Sequence, residues 1–518
     1  MAFHLGKPIL VMLGISATCA AVLWFRPAAP PRGELLLWVF AEAHARTYGG
    51  EPDQKAPSLL QAFKEKTGLR TDMQLIFDRA QGVRLISMFM ADMRGPTVPD
   101  VVEVEINSIG KFFRPPVRDV GFLPLNAYLE QTGSREIDSL DQPGHEGWRA
   151  RFRGDDQTYK HVDGRWEPAP GEKSDAWIDQ ITRSRFAPYT KDGVIFGIPH
   201  DVHPVALAYR HDLFLEAGID LLKESGDAAR PMTWPRFHQL CLDFRQYWAA
   251  RGKPTRYPIE LKTMGTDNLV VMLLQRHMNL IDKHGRIQFN DPGFAETVAF
   301  YAQMVAGDRQ IGTAPGAGDA AIAQDLNDGN ICAFMTADWR VRYLKDFAYV
   351  DRNTGRKALE GKLRFIPLPV FEPGKDARTG TWGGTMIGIV RNTPRPDDAW
   401  KLIEHLYLSD EGFEARIRET NILPPVVAQW DDPRFDRPDP FFGGQMVDQL
   451  YIELARELPD RYVQPASRTA LAALNGVLYK AVGHVRSRGE SGLLEACRGW
   501  LRDAAVDLDE RIKWGTFE

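Results

Sequence analysis

The side chains in this sequence that can do chemistry stand at the ends of short apolar runs. Glu42 and His44 follow the run 34–40, and Glu103 and Glu105 alternate along 101–106 with Asn107 just beyond. His200, Asp201 and His203 follow 192–199, Asp338 and Trp339 follow 331–335, and Trp382 with Gly383 enters the stretch 383–390. Carboxylates and amides at strand ends can make paired hydrogen bonds to a polyhydroxylated ligand, while an indole face packs against apolar C–H groups. Two convergent carboxyls drawn from Glu103, Glu105, Glu42 and Asp201 would instead suit glycoside hydrolysis. Metal binding is disfavoured, because His200 and His203 alternate with apolar residues and lack a third neighbouring ligand. Each candidate has a plainer counterpart. Glu42 also reads as a solvated loop carboxylate, Glu103 as the partner of a buried arginine, and Trp339 as a core indole.

Hydrophobic periodicity outlines the scaffold that must position these groups. Residues 34–40 read as a buried strand, and 58–66 as a helix with Leu59, Leu60 and Phe63 on one face, stopped by Thr67-Gly68. Residues 69–77 read as a second strand, 80–93 as a helix, and 101–106 as a third strand. Alternation of this kind predicts a parallel sheet covered by helices. Residues 192–199 and 205–209 look like paired strands. Thr233-Trp234-Pro235 and Asp291-Pro292 are helix starts, with a capping side chain followed by proline in the first turn. The stretch 319–347 reads helix, strand, helix, and the last hundred residues or so are largely helical. In 381–425 a glycine-rich strand passes through Asn392-Thr393-Pro394 into a helix carrying Ala399, Leu402, Ile403, Leu406 and Tyr407.

With 518 residues the chain is too long for one compact core, so two lobes are expected. Composition is that of a globular protein, 44% hydrophobic and 26% charged, and the net charge of −5 offers no footprint for nucleic acid. No P-loop, nucleophile elbow or HExxH motif is present. The four cysteines have no paired spacing, and Cys241 and Cys332 sit among apolar neighbours as small buried hydrophobes.

Five segments taken together resemble the bacterial extracellular solute-binding proteins, the sugar-type receptors of ABC importers. They are 99–125, 192–219, 232–237 (MTWPRF, with Arg236 replacing the usual acid), 326–339 and 381–425. The resemblance implies a periplasmic-binding-protein type II fold: two α/β lobes, a hinge and a central ligand cleft. It places lobe 1 at 34–125 plus 381–422 and lobe 2 at 126–380 plus 423–518, with 131–190 as a polar insertion. It further implies a small-molecule ligand of the sugar class, ABC permease subunits as partners, a monomeric chain, no cofactor and no catalysis. Ligand contacts would come from Glu42, His44, Glu105, Asn107, Asp201, His203, Asp338, Trp339, Trp382 and Gly383. A membrane-tethered ligand sensor and a glycoside-acting enzyme are the alternatives.

Residues 8–25 are uncharged and flanked by Lys7 and Arg26, and 26–33 form a proline-rich spacer. Length and flanks fit either a signal peptide or an uncleaved inner-membrane anchor. Both place the body of the chain in the periplasm or another extracytoplasmic space.

Overall fold

The computed structural model describes residues 33–50, 57–130, 159–162, 165–168, 176–316, 318–352, 355–420 and 422–516, together with helical residues 12, 15 and 16. The rest of the 8–25 stretch, the spacer before Gly33 and most of the 131–190 insertion lie outside the described residues. Among the described residues, no helix is long and apolar enough to cross a membrane.

Strand β1 (Leu35–Val39) shows why its run is apolar throughout. Leu35, Leu37 and Val39 enter one core while Leu36 and Trp38 enter another, so both faces are buried. Helix α1 (Glu42–Gly49) follows. Helix α2 (Leu59–Thr67) begins at Ser58, whose side chain accepts from the Gln61 N–H, and ends at Gly68 with φ 76°. Strand β2 (Thr71–Leu75), helix α3 (Asp78–Met90) and strand β3 (Val101–Glu105) complete the parallel unit that the periodicity predicts. The chain then forms the single turn Ile106–Ile109.

Strand β4 (Ile198–Pro199) precedes β5 (Val205–Arg210), and helices α4 (Trp234–Ala249) and α5 (Pro292–Val305) start at Thr233 and Asp291. Next come β6 (Ala333–Ala337), α6 (Asp338–Phe347), β7 (Leu363–Pro367) and β8 (Thr385–Ile389). Helix α7 (Pro396–Ile403) continues through the π-helical turn Glu404–Leu408 into α8 (Asp410–Glu419). Helices α9 (Val447–Ala455), α10 (Ser467–Arg488) and α11 (Leu493–Lys513) end the chain.

Two sheets organise these elements. The first has the order β2–β1–β3–β8–β4, with β1 parallel to β2 and β3, and β8 antiparallel to β3 and β4. The second is antiparallel, with the order β6–β5–β7. Val205, Leu207 and Tyr209 of β5 face the large core built with α4, α5, α10 and α11. Ala206 and Ala208 face a smaller core on the other side.

Two expectations change. Residues 192–199 and 205–209 do not pair with each other: β4 joins the first sheet and β5 centres the second, because each is buried in a different core. Ile178, Ile181, Phe186 and Ile195, beyond the boundary the sequence suggested at 126, share an apolar cluster with β1 and β8. Segments 200–204 and 379–384 thus connect the first sheet with the second, and 422–426 runs beside them as a third crossing segment.

Candidate functional site

The ten candidate residues divide into a buried ionic chain and a partly exposed strand edge. The buried chain starts on β3, where Glu103 is wholly inaccessible to solvent. An ionised carboxylate there is tolerable because three donors converge on it. His44 Nδ1 lies 2.8 Å from Oε2, while the Tyr48 and Tyr407 hydroxyls donate to Oε1 at 2.5 and 2.7 Å. His44 and Tyr48 are one helical turn apart on α1, which aims both at the same strand. Burial would push the Glu103 carboxyl up, but His44 and the Tyr48 hydroxyl outweigh it and hold it below the usual range. Burial and Glu103 push both phenols far above theirs.

The chain continues through ring contact. His44 packs on His200 at 4.3 Å between centroids, and His200 also meets the Tyr407 ring. Burial and the neighbouring His44 push the His200 imidazole down to about 3, so it is neutral at physiological pH. Asp201 comes next. Its Oδ1 accepts from Arg185 Nη2 at 2.9 Å, and its Oδ2 lies 3.1 Å from His203 Nε2. Arg185 also donates Nε to the Asp201 carbonyl and Nη1 to the Thr381 hydroxyl, clamping two crossing strands with one side chain. Gly384 is forced here, since a Cβ on it would lie 2.3 Å from Arg185 Nη2 and its φ is +146°.

His203 has a left-handed backbone (φ 55°) that turns its ring between two carboxylates. Its Nδ1 lies 2.6 Å from Asp338 Oδ1, and Asp338 Oδ2 accepts the Leu423 N–H at 2.8 Å on the third crossing. Burial alone would lower its pKa, but Asp201 and Asp338 raise it to about 9, so the ring is an imidazolium. His44, Asp201, His203 and Asp338, all expected on the ligand, therefore lie in the interior and bind one another or Glu103 across the crossings. The plainer reading of Glu103 needs amending too: its partners are an imidazole and two phenols rather than an arginine.

The partly exposed edge is built from the others. Thr385 of β8 pairs with Glu105 of β3, and the Ile106 N–H donates to the Gly384 carbonyl, which joins the end of β3 to the second crossing. Glu105 caps the turn after β3: its carboxylate accepts the Asn107 N–H at 2.7 Å and the Asn107 Nδ2 at 2.8 Å. Trp382 and Trp339 are both half-buried and stand nearly perpendicular, 6.1 Å apart at 78°. Trp339 Nε1 donates to the Trp382 carbonyl, and Gly383 sits against it with φ 89°. Glu42 opens α1 and is exposed. All lie at the carboxyl edge of β1, β3 and β6, the edge where open α/β sheets bind ligands.

Arg340, which the sequence offers beside Asp338 as a partner for hydroxyls, lies over the Trp382 ring at 5.0 Å, bonded to the Met335 carbonyl and to Glu260. Sequence reasoning missed other neighbours of this edge. Phe77 is exposed directly before Asp78, and Asp78 accepts from Ser108. Arg185 had no local signal, since it lies in a polar segment and acts on residues sixteen to two hundred positions away. A separate cavity of about 940 Å³ opens between Ile181, Phe186 and Asp192 on the first lobe and Leu458, Tyr462 and Gln464 on the second. None of the ten candidates lines it. Among the described residues, no three metal-ligating side chains are grouped to hold an ion.

The chain belongs to the bacterial extracellular solute-binding protein family, whose model matches residues 153–434. It is similar to an arabinooligosaccharide-binding protein of Halalkalibacterium halodurans, 24% identical over 289 residues, 54% of this chain and 59% of the relative. It is also similar to a lactose-binding protein of Rhizobium radiobacter, 21% identical over 55% of this chain and 64% of that one. The chain thus spans less than two thirds of these relatives. In fold it resembles the sugar-binding protein MalE of Xanthomonas citri, with TM-score 0.64 and 18% identity over 93% of this chain and 99% of that one. A second structure with the same fold is a binding protein of B. animalis subsp. lactis in complex with β-1,6-galactobiose, TM-score 0.57 and 16% identity over 93% and 98% of the two chains. The architecture is therefore the type II periplasmic-binding-protein fold.

Proposed function

We propose that this protein is an exported receptor that captures an oligosaccharide at the interlobe edge and delivers it to an ABC importer. The carrying observation is the perpendicular pair Trp339–Trp382, half-buried, with the Arg340 guanidinium over the Trp382 ring. Two indoles at right angles present apolar platforms for successive pyranose rings, while the Arg340 guanidinium and the Glu42 carboxylate offer partners for hydroxyls. The names of the relatives, which bind arabinooligosaccharides and lactose, support the same class. Export accords with the family's extracellular description.

A hydrolytic reading has less support. Two of the four carboxyls it could use, Glu103 and Asp201, are buried and already bonded. A thermal-shift screen against mono- and oligosaccharides tests the proposal, since a ligand at a hundred times its Kd adds about 2.7 kcal/mol to stability. A shift with an amine or phosphate ester and none with any saccharide overturns the substrate class.

A further inference from the structure

We propose that residues 461–464 form a latch that holds the two lobes against each other without help from a ligand. The segment lies between α9 and α10 on the second lobe and is fastened there. The Tyr462 N–H donates to Asn279 Oδ1 at 2.8 Å, and Asn279 Nδ2 donates back to the Asp460 carbonyl. Gln464 donates its N–H to Ser467 Oγ and its Nε2 to the Asp282 carbonyl. Held this way, the segment moves as part of the second lobe.

Its other face grips the first lobe at three points. Arg461 Nη2 donates to Asn107 Oδ1 at 2.6 Å. The Asn107 amide cannot flip away, because its Nδ2 is committed to Glu105 and so its oxygen faces the guanidinium. Val463 is buried in the first lobe's own apolar cluster with Ile109, Phe113 and Tyr189. Gly110 lets the backbones approach, since a Cβ there would stand 2.4 Å from the Gln464 carbonyl oxygen. Each of these contacts joins protein groups directly and needs no ligand to bridge it. A swing that parts the lobes must withdraw a charged donor and an apolar side chain together, which biases the hinge equilibrium toward the closed form. The segment lies beyond residues 153–434, so its gripping residues come from outside the matched part of the chain.

The inference rests on the two-lobe fold and not on the identity of the ligand, and its test uses ligand-free protein. Small-angle scattering would compare the full chain with Arg461→Met and Gly110→Val, each first checked for a cooperative melt. The wild type is expected to be compact, and Arg461→Met to move the open-to-closed ratio about tenfold or more toward open, the effect of losing a charge-assisted hydrogen bond. Gly110→Val should open the chain by wedging the seam, and it carries the test alone if Arg461→Met fails to fold. A wild type that is already open, or variants with unchanged scattering, overturns the latch. Either result leaves the saccharide screen to be judged by itself.

Discussion

Nδ1 of His203 lies 2.6 Å from Oδ1 of Asp338, and this contact ties the first crossing between lobes to the start of α6. Through its other oxygen Asp338 holds Leu423, so one carboxylate serves two crossings. Arg185 holds the remaining one through Thr381. Opening and closing must therefore pivot about this ionic knot, with rotation taken up in the strands on either side.

The charge on His203 gives the knot a pH signature. Its pKa is raised from 6.5 to about 9, so its contribution to stability is fully present below pH 6.5 and is lost as pH rises through about 9. His203→Gln should be most destabilised relative to wild type near pH 6.5, with the gap narrowing by pH 9.5. Thermal melts across that range check this, and a gap that stays constant contradicts it.

Removing the Arg185 guanidinium leaves the Asp201 carboxylate buried with one cationic partner fewer. Arg185→Met is expected to cost about 3–5 kcal/mol, the usual effect of breaking a buried pair from one side. Denaturant unfolding at neutral pH measures it. A loss under about 1 kcal/mol would mean the clamp is not a true buried pair.

The indole pair should matter for ligand more than for folding, because both rings are only half-buried. Trp339→Ala and Trp382→Ala are each expected to weaken the saccharide found by screening by about 30-fold or more, as for a residue central to an interface. Calorimetric titration reads the change. Unaltered affinity in both variants would move the site elsewhere, with the 940 Å³ cavity the next place to look.

Glu105 is expected to titrate near neutrality. Burial, opposed by Arg461 and reinforced by Asp78, pushes its carboxyl up to about 7. A raised carboxyl favours the folded state below pH 4.5, and that contribution is lost as pH rises through 7. Glu105→Gln should therefore melt higher relative to wild type at pH 8 than at pH 5. The opposite ordering would show that the carboxylate is stabilised in place.

Sequence alone determined the elements whose period is local. β1, β3, α2 and the helix starts at Thr233 and Asp291 all follow from runs, caps and glycine stops, because these signals act within a few residues. It also marked the strand ends where polar groups collect, and the segments that resemble the family. β7 escaped notice because the half-buried Arg364 interrupts its apolar residues.

Only the tertiary structure decided which polar residues stay at the surface and which are interior. His44 and Glu42 stand two positions apart, yet one is bonded to a strand residue 59 positions away and the other is exposed. Asp201 and His203 read as cleft residues and are buried in the structure, where Arg185 and Asp338 reach them from distant segments. Burial of charge is a property of the assembled neighbourhood, set by partners that no local spacing reveals.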